Sequence, residues 1–465
     1  MKKKIIFGVG TIGKWIVSVW LKIGMRLDYL ADNNPDLWNT SYKGISIVSL
    51  EQIKKLDAVE IMVACKKYKE IREQLIKEGI SDQCIFECYT MEGFQEQIKK
   101  NYVIKETKEQ RILFDLENGL VLGGVELWVF QMAKEFQEKG YSIKYLTTNI
   151  NPPTVSAGQI DTIMLDYQEE KRYKERTWDC VIEIIKYLPC TIVCNFPFQI
   201  LEAACIVKEM YPERIKVIAV VHSDDAVYYN AYEKNKKSID EVFVVSKKIE
   251  DTILERGFCK DKVHKIQWEI PCKEKLERAY LRKGEPIQIG YAGRITIEQK
   301  RVDRFIPLAL SLKEKKIPFF IELAGVGNYE DELQKEIKKN KLEEVIHLAG
   351  YIPREKIPEF WERQDIMVSC SDIEGHSISQ EEAMASGAVP VVFDTSGARD
   401  NVEDGYHGYI LPIGDIHGMA DKIESLYQDK ELLEKMGNHS YLSIKEKKNQ
   451  PDVIKEWEQW LWKTE

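Results

Sequence analysis

Two glutamates separated by seven residues have the types and spacing best suited to binding a charged ligand. Glu374 and Glu382 lie in residues 370–393, a stretch whose pattern predicts the end of a strand, a loop, a short helix and a second strand. Ser377 or Ser379 can cap the helix, because a serine hydroxyl accepts an N–H bond that a helix start leaves unpaired. The apolar run AVPVVF then predicts a parallel strand buried on both faces.

This arrangement suits a nucleoside diphosphate. A helix N-terminus offers free N–H groups and a partial positive charge, so four amides here can hold phosphate oxygens. These amides belong to Gly375, His376, Ser377 and Ile378. Glu382, one turn further along, can accept the hydroxyls of a ribose, and Glu374 would face whatever lies beyond the phosphates. From the spacing alone, an ordinary helix with solvated glutamates in its first turn is an equal alternative.

The residues EGHSISQEEAMASGAVPVV resemble the donor-binding segment of the retaining GT-B glycosyltransferases of family 4. The family pattern is close to E-G-x-S-x-x-x-x-E-A-M-A-x-G-x-P-V-V. The resemblance implies that Glu374 contacts the donor sugar and that Glu382 contacts the ribose. It also implies the reaction, which is transfer of a sugar from a nucleoside diphosphate sugar.

Further motifs ahead of this segment continue the resemblance. Gly123 and Gly124 form a G-G-x-E turn, where the missing side chains let a phosphate or an acceptor approach the backbone. His222 ends the apolar run IKVIAVV, at the edge where open α/β sheets place their sites. A single histidine at such a position is often structural. The resemblance implies instead that His222 lies beside the donor sugar.

The second half of the chain adds a pair of cations. Arg294 and Lys300 match the family's G-R-x5-K pattern, and two cations at this spacing can clamp a diphosphate. Arg301 and Arg304 are interpreted as part of a solvated basic turn. Gly325 lies in a glycine turn after a strand and is expected to contact the donor. The resemblance places the nucleotide base beside Tyr351, and it implies that these donor-site residues follow one another in the family's order.

An additional Rossmann-type pattern opens the chain. Gly8, Gly10 and Gly13 have G-x-G-x-x-G spacing after a strand, and Asp32 ends the next strand. The segment resembles the small Rossmann-like domains found ahead of sugar acyltransferases. One interpretation is a site for a nucleotide or sugar nucleotide, with Asp32 facing it. The other is a retained fold used only for packing or oligomer contacts.

These patterns predict an α/β chain of GT-B architecture, with two facing Rossmann-like lobes and an additional N-terminal Rossmann-like domain. The expected parts are an accessory domain (1–100), an acceptor lobe (111–275), a donor lobe (276–445) and a C-terminal helix crossing back to the acceptor lobe (446–465). Residues 93–110 are charged and are expected to be a linker or a bridging helix. Residues 273–286 are expected to connect the lobes.

Composition limits the partners. The chain has 465 residues and a formal net charge of -9, which argues against nucleic acid as a general partner. Its ten cysteines include no CxxC pair, so reduced thiols in the cytosol are expected. No apolar run reaches membrane-span length. We expect a cytoplasmic protein, with association at the inner membrane face and homo-oligomerisation left open. The apolar face of Ile454, Trp457, Trp460 and Leu461 favours packing over a membrane surface.

The expected function is that of a metal-independent, retaining hexosyltransferase with a nucleoside diphosphate sugar as donor. The acceptor would be a saccharide, a glycolipid or lipid-linked glycan, or a small molecule in bacterial surface glycan synthesis. No cofactor or essential metal is expected, because no D-x-D metal signature stands at a convincing strand end. Arg294, Lys300 and the helix amides would stabilise the leaving diphosphate. Two alternatives stay open, namely a GT-B epimerase or phosphorylase and a non-catalytic sugar-nucleotide-binding protein. A dehydrogenase is the weakest alternative, because nothing downstream resembles a hydride-transfer site.

Overall fold

The structure is a computed structural model. It describes residues 2–121, 123–148, 150–151, 158, 160–165, 172–266, 270–280, 284–447 and 453–463. The predicted lobe connection and the predicted C-terminal helix each lie partly outside the described residues. Across the described ranges, no helix combines the length and the apolar character needed to cross a membrane. The strands form three sheets that succeed one another along the chain.

The first sheet confirms the additional N-terminal Rossmann-like fold. Its strands are β1 (Lys3–Phe7), β2 (Tyr29–Ala31), β3 (Ser41–Tyr42), β4 (Ile45–Val48), β5 (Val59–Val63) and β6 (Ile85–Glu87). Their order is β3-β4-β2-β1-β5-β6, and all neighbours are parallel except β3 and β4. The order reverses at β1, so a ligand of this sheet would bind at the carboxyl end of β1.

The second sheet is wholly parallel. Its strands are β7 (Arg111–Leu116), β8 (Ser142–Thr148), β9 (Asp161–Leu165), β10 (Cys190–Cys194), β11 (Ile215–Val221), β12 (Glu241–Val244) and β13 (Val263–Lys265). Their order is β13-β12-β11-β10-β7-β8-β9, which reverses between β7 and β10. Every residue of β10 is buried, as helices on both faces of a parallel sheet require. The crevice between β7 and β10 is therefore the expected ligand position in this lobe.

The third sheet repeats the same topology. Its strands are β14 (Ile287–Ala292), β15 (Phe319–Ala324), β16 (Ile346–Gly350), β17 (Ile366–Ser369), β18 (Val389–Phe393) and β19 (Tyr409–Leu411). Their order is β16-β15-β14-β17-β18-β19, with all pairs parallel and the reversal between β14 and β17. All of β18 is buried, as its apolar run predicts. The second and third sheets are the two Rossmann-like lobes of a GT-B architecture.

Helices cover the faces of all three sheets. Those of the N-terminal sheet are α1 (Thr11–Lys22), α2 (Leu50–Ile53), α3 (Tyr68–Lys77) and α4 (Met91–Asn101). Those of the second sheet are α5 (Gly124–Glu138), α6 (Tyr173–Tyr187), α7 (Gln199–Met210), α8 (Ala226–Asn235) and α9 (Lys247–Glu255). Those that follow are α10 (Phe305–Glu314), α11 (Glu330–Lys339), α12 (Ile357–Trp361), α13 (Ile378–Ala385), α14 (Ala398–Asn401), α15 (Ile416–Gln428), α16 (Lys430–Lys447) and α17 (Val453–Trp457).

The N-terminal domain packs directly on the second sheet's helices. Trp15 of α1, Phe94 of α4 and Trp178 of α6 form a cluster with ring centroids 5.1, 5.3 and 5.8 Å apart. Lys22 forms an ion pair with Asp179 beside this cluster. Buried side chains of both domains belong to one continuous apolar core. The charged stretch predicted as a linker or bridging helix thus begins as α4, which contributes Phe94 to an interdomain core.

The last described segment returns to the second sheet. The ring of Trp457 stacks on Phe243 with centroids 4.0 Å apart, and it lies 5.7 Å from the ring of Trp128. Leu461 is buried, and the backbone N–H of Trp462 donates to Thr191 Oγ1 at 2.7 Å. The aromatic residues at this end of the chain therefore pack against the lobe built on the second sheet.

Candidate functional site

The carboxyl edges of the two lobes meet at a loop contact. A Cβ atom on Gly375, in the loop after β17, would collide with the carbonyl oxygen of His222 at the end of β11. On its other side, Gly375 presents its carbonyl to Gly397, where a Cβ would also be too close. Only glycine allows this close backbone approach. The predicted donor-binding loop therefore lies in the cleft between the lobes.

The start of α13 has the geometry that the sequence predicts. Ser377 is the N-cap, and its Oγ accepts the N–H of Gln380 at 3.3 Å. Ser379 lies inside the helix, and its hydroxyl is buried without a partner in the described part of the chain. Ile378 is the first helical residue, so its N–H has no acceptor within the helix. Gly375, His376, Ser377 and Ile378 thus form the loop and helix start where an anion is favoured.

Glu382 lies on the second turn of the same helix. Among the described residues its carboxylate accepts no hydrogen bond, and only its backbone carbonyl is engaged, by Ser386 Oγ at 3.2 Å. Burial raises the pKa of Glu382 to about 7, with Arg354 opposing the rise and Glu381 adding to it. The side chain of Glu382 is half-buried, and a carboxylate that is partly removed from water without donors is costly to ionise. A ligand that supplied hydroxyl donors would remove part of that cost.

Glu374 and Lys300 lie together although they come from different loops. Lys300 Nζ lies 2.5 Å from Glu374 Oε1, and Ser371 Oγ donates to the same oxygen at 2.8 Å. Ser396 Oγ donates to the backbone carbonyl of Glu374. The side chains of Glu374 and Lys300 are 11% and 19% exposed, so both retain access to the cleft.

The interpretation of Arg301 and Arg304 as solvated is wrong. Arg301 NH1 donates to Asp372 Oδ2 at 2.8 Å, and Arg304 pairs with the other oxygen of Asp372. Although burial opposes ionisation, these two arginines lower the pKa of Asp372. Asp372 thus links the loop that carries Lys300 to the loop that carries Glu374. Sequence reasoning missed this link, because the partners are about 70 positions apart.

Arg294 is exposed at the cleft edge, and its NH2 donates to Gln299 Oε1 at 2.9 Å. It faces Glu126 of the other lobe, whose pKa burial raises and whose charge Arg294 favours. The Glu126 carboxylate fills the space beside Gly123, where a Cβ would collide with it. Gly124 is the first residue of α5, and a Cβ there would meet open space. The glycine turn and Arg294 therefore face the cleft from opposite lobes.

His222 lies beneath the contact with Gly375. Its Nε2 is 2.9 Å from Asn195 Oδ1, and its ring meets Trp128 edge-on with centroids 5.2 Å apart. Burial lowers the pKa of His222 to about 3. The imidazole is therefore neutral at physiological pH and can act as a hydrogen-bonding group, not as a cation.

Glu381 is a site residue that sequence reasoning missed. His376 Nε2 lies 2.8 Å from one of its oxygens, and Lys447 Nζ lies 2.9 Å from the other. Although burial opposes ionisation, His376 and Lys447 lower the pKa of Glu381 to about 2. Lys447 also donates to Asn401 Oδ1 at 2.9 Å. The doublet Glu381-Glu382 was the available signal, since adjacent helical residues must point in different directions.

The lobes are also joined by Asp400. Its Oδ2 accepts the N–H of Lys247, at the start of α9, at 2.8 Å. Lys265 Nζ lies 2.8 Å from the same oxygen. An acceptor at a helix N-terminus is favoured by the helix dipole. Asp400 of the third-sheet lobe thus binds two groups of the second-sheet lobe.

The remaining donor-lobe residues lie at strand ends. Gly325 follows β15 with φ +135°, and a Cβ there would collide with the carbonyl oxygen of Gly293. Its N–H donates to Gly350 O at 2.8 Å, which ties the end of β15 to β16. Tyr351 follows β16 directly and is 54% exposed. Gly325 therefore shapes the sheet edge, whereas Tyr351 offers an accessible ring there.

The N-terminal glycine turn is closely packed against neighbouring groups of its own domain. Gly8 has φ +103°, and a Cβ on Gly13 would collide with the Gly8 carbonyl oxygen. Gly10 is the N-cap of α1 and offers no side-chain cap. Asp32 accepts the N–H of Val9 at 2.7 Å through one oxygen and the N–H of Asn34 at 2.9 Å through the other. Both Asp32 oxygens thus already bind backbone.

Among the described residues, no three His, Cys, Asp or Glu side chains come together as a metal-binding group. None of the ten cysteines forms a disulfide.

Three family models match successive parts of the chain. The model described as C2185-like, N-terminal, matches residues 1–86. The model described as Glycosyltransferase Family 4 matches residues 122–267, and that described as Glycosyl transferases group 1 matches residues 273–443. The last two matches coincide with the second and third sheets.

Proteins of similar sequence include the poly(ribitol-phosphate) alpha-N-acetylglucosaminyltransferase of Staphylococcus aureus (strain COL). It is 25% identical over 336 residues, which cover 69% of this chain and 65% of that protein. The GtfA subunit of a UDP-N-acetylglucosamine–peptide N-acetylglucosaminyltransferase from Streptococcus gordonii is 25% identical over 309 residues, or 60% of each protein. The chain thus spans less than two thirds of the length of these relatives.

Solved structures share the fold. HepE from Anabaena, crystallised with UDP and glucose, superimposes with a TM-score of 0.60 and 16% sequence identity. The match covers 76% of this chain and 98% of that one. At this identity the likeness establishes the two-lobed GT-B fold of residues in the second and third sheets.

Proposed function

Since residues 122–267 and 273–443 belong to two glycosyltransferase families and form the two lobes of the GT-B fold, we propose that this chain is a retaining glycosyltransferase. Its donor would be a nucleoside diphosphate sugar. The observation that carries the proposal is the position of Glu382, a half-buried carboxylate without hydrogen-bond donors among the described residues, on the helix whose N-terminus faces the cleft. Such a group is unfavourable until a ligand pairs with it.

The donor would lie along the carboxyl edge of the third sheet. Glu382 would accept the ribose hydroxyls, and the amides from Gly375 to Ile378 would bind the phosphates. Tyr351, at the exposed end of β16, would contact the base. We propose uracil as that base, because HepE was crystallised with UDP and the S. gordonii relative is named for a UDP-sugar.

The cations would stabilise the departing diphosphate. Lys300 pairs with Glu374, and a bound donor would offer phosphate oxygens to Lys300 and sugar hydroxyls to Glu374. Arg294, exposed at the cleft edge, would bind the same phosphates from the side. Fixed charges aimed at a developing charge lower the barrier without reorganisation. We therefore propose a metal-independent reaction in which the departing phosphate accepts the acceptor's proton.

The acceptor would enter from the lobe built on the second sheet, beside Gly123, Gly124 and His222. The named relatives act on a polyol phosphate polymer and on a peptide, and the proposed acceptor class for this chain is a bacterial surface glycan or its lipid-linked precursor. Such a precursor would place the protein in the cytoplasm at the inner membrane face.

Ligand-induced stabilisation provides the first test. Unmodified protein and the Glu382→Ala variant are heated with a panel of uridine, guanosine, thymidine and adenosine diphosphate sugars. Binding to the native state raises the melting temperature, so one or more uridine diphosphate sugars should shift the unmodified protein and not the variant. Absence of any shift across the panel, or equal shifts in both proteins, would contradict the proposed donor site.

A further inference from the structure

A buried chain of hydrogen bonds runs from the second sheet to His222. Asn195 follows β10 at the point where the strand order reverses, and its side chain is fully buried. Its Nδ2 donates to the carbonyl oxygen of Asp115 at 2.9 Å. Its backbone N–H donates to Asp115 Oδ2 at 3.1 Å, and its carbonyl accepts Tyr228 OH at 3.2 Å. These bonds fix both the position and the orientation of the Asn195 amide.

The fixed amide decides which nitrogen of His222 carries the proton. Because Nδ2 of Asn195 is used as a donor, Oδ1 is the atom that faces His222 Nε2 at 2.9 Å. An amide oxygen only accepts, so His222 Nε2 must be the protonated nitrogen. The neutral ring then has an acceptor lone pair on Nδ1. Among the described residues, Nδ1 has no hydrogen-bond partner.

We propose that Asn195 is a positioning residue that holds neutral His222 in the Nε2-protonated tautomer, so that Nδ1 accepts a hydrogen bond from a donor-sugar hydroxyl. This inference rests on the proposed glycosyl transfer, but the tautomer itself does not. Trp128 packs edge-on against the ring, and Gly375 lies close to the His222 carbonyl, which fixes the backbone that carries the ring. Removing the Asn195 acceptor would release the tautomer while these packing contacts remain.

The test has a spectroscopic readout and a kinetic one. The full chain is labelled with 15N-histidine, and the imidazole signals of its seven histidines are assigned with the His222→Gln variant. The expected result is an Nε2-protonated signature for His222 that is mixed in Asn195→Ala. Asn235→Ala is the matched control, because it removes an amide bond of 2.8 Å to Ala231 O in the same lobe. That control should leave the His222 signature unchanged.

Kinetics then show whether Asn195 acts through His222. Asn195→Ala should lower kcat/KM roughly two- to tenfold, which is the range for loss of one hydrogen bond. In a His222→Ala background, Asn195→Ala should not lower kcat/KM any further. An Nδ1-protonated His222 in the unmodified protein overturns the proposal even if the variant fails to fold. Equal costs of Asn195→Ala in both backgrounds also overturn it. Failure of the unmodified protein to transfer any sugar would instead contradict the proposed function, and the tautomer measurement would still stand.

Discussion

The ammonium of Lys300 lies 2.5 Å from a carboxylate oxygen of Glu374, and both groups face the cleft between the lobes. Each side chain compensates the charge of the other. Asp372 holds the two supporting loops together through Arg301 and Arg304. These loops therefore fix the pair, and under the proposed function a donor phosphate would take the place of the carboxylate as the partner of Lys300.

Lys300→Ala should lower kcat on the order of a hundredfold at saturating donor, because the charge it meets grows in the transition state. It should also lower the free energy of unfolding by about 2 kcal/mol, since Glu374 loses its partner. The double variant Lys300→Ala/Glu374→Gln should recover the stability and not the turnover. Lys335→Ala, which removes an exposed ion pair with Glu332, is the control. Recovery of turnover in the double variant would show that Lys300 has only a structural role.

Arg294→Ala should reduce turnover with almost no change in melting temperature. The side chain is exposed and makes its described hydrogen bond only to Gln299, so its removal breaks no hydrogen bond of a buried group, although buried Glu126 loses a favourable charge across the cleft. Arg363, exposed on the same lobe and near Glu322, supplies the control substitution to Ala. Steady-state kinetics and thermal unfolding of both variants give the comparison. A normal kcat in Arg294→Ala would exclude it from the phosphate clamp.

The pKa of Glu382 gives a prediction for donor binding. Because burial raises that pKa to about 7, the carboxylate is protonated in acid and loses its capacity to accept two ribose hydroxyls. Donor affinity should therefore fall as the pH drops from 8 to 6. Glu382→Ala should raise the donor Kd roughly ten- to a hundredfold at pH 8, from the loss of charged hydrogen bonds. Calorimetric titration measures both effects, and a pH-independent affinity in the unmodified protein would contradict the assignment.

The raised pKa of Glu382 also means that its ionised carboxylate lowers the free energy of unfolding at pH values above 7. The folded-state pKa of about 7 exceeds the ordinary value of 4.5, so the folded protein binds more protons than the unfolded chain between these pH values. Stability from this group is thus fully present below pH 4.5 and is lost as the pH rises to about 7. Glu382→Gln should raise the free energy of unfolding at pH 8 by up to about 3 kcal/mol, whereas exposed Glu344→Gln should not. A destabilised Glu382→Gln variant would show that the carboxylate has an internal partner.

The N-terminal domain should matter for stability and not for chemistry. All the proposed transfer residues lie after Arg111, but Trp178 is buried by Trp15 and Phe94 of the first domain. Deleting residues 1–104 should therefore lower the melting temperature while kcat on a soluble acceptor stays within a few-fold of the full chain. A well-folded but inactive deletion variant that regains turnover when the separate domain is added would place that domain in the active site.

Local sequence signals predicted much of the local structure around the candidate site. The glycine turns, the capping serine and the helix that carries Glu382 depend on backbone requirements within a few residues of each other, so a single stretch of sequence reveals them. The parallel strands follow from continuous apolar runs such as AVPVVF. The GT-B architecture came from the resemblance of these motifs, taken in order, and the family matches and solved structures confirm it.

Contacts between distant segments could not be predicted in this way. Lys300 and Glu374 are 74 positions apart, and Lys447 and Glu381 are 66 apart. Their pairing depends on how the strands of the third sheet are ordered and how α16 lies across it. Asp32 lies at a strand end where a ligand could bind, but both of its carboxylate oxygens accept backbone N–H groups of nearby residues. The sequence pattern did not reveal these local hydrogen bonds.

Retaining glycosyl transfer is tested most directly by release of nucleoside diphosphate from the donor that stabilises the protein, measured with and without an acceptor panel of saccharides, lipid-linked glycans and polyol phosphates. Release should depend on one acceptor class, and the new glycosidic bond of the product, seen by NMR, should keep the anomeric configuration of the donor. The reaction should also proceed in the presence of a chelator. Tight donor binding with no acceptor-dependent release, or a product of inverted configuration, would contradict retaining glycosyl transfer.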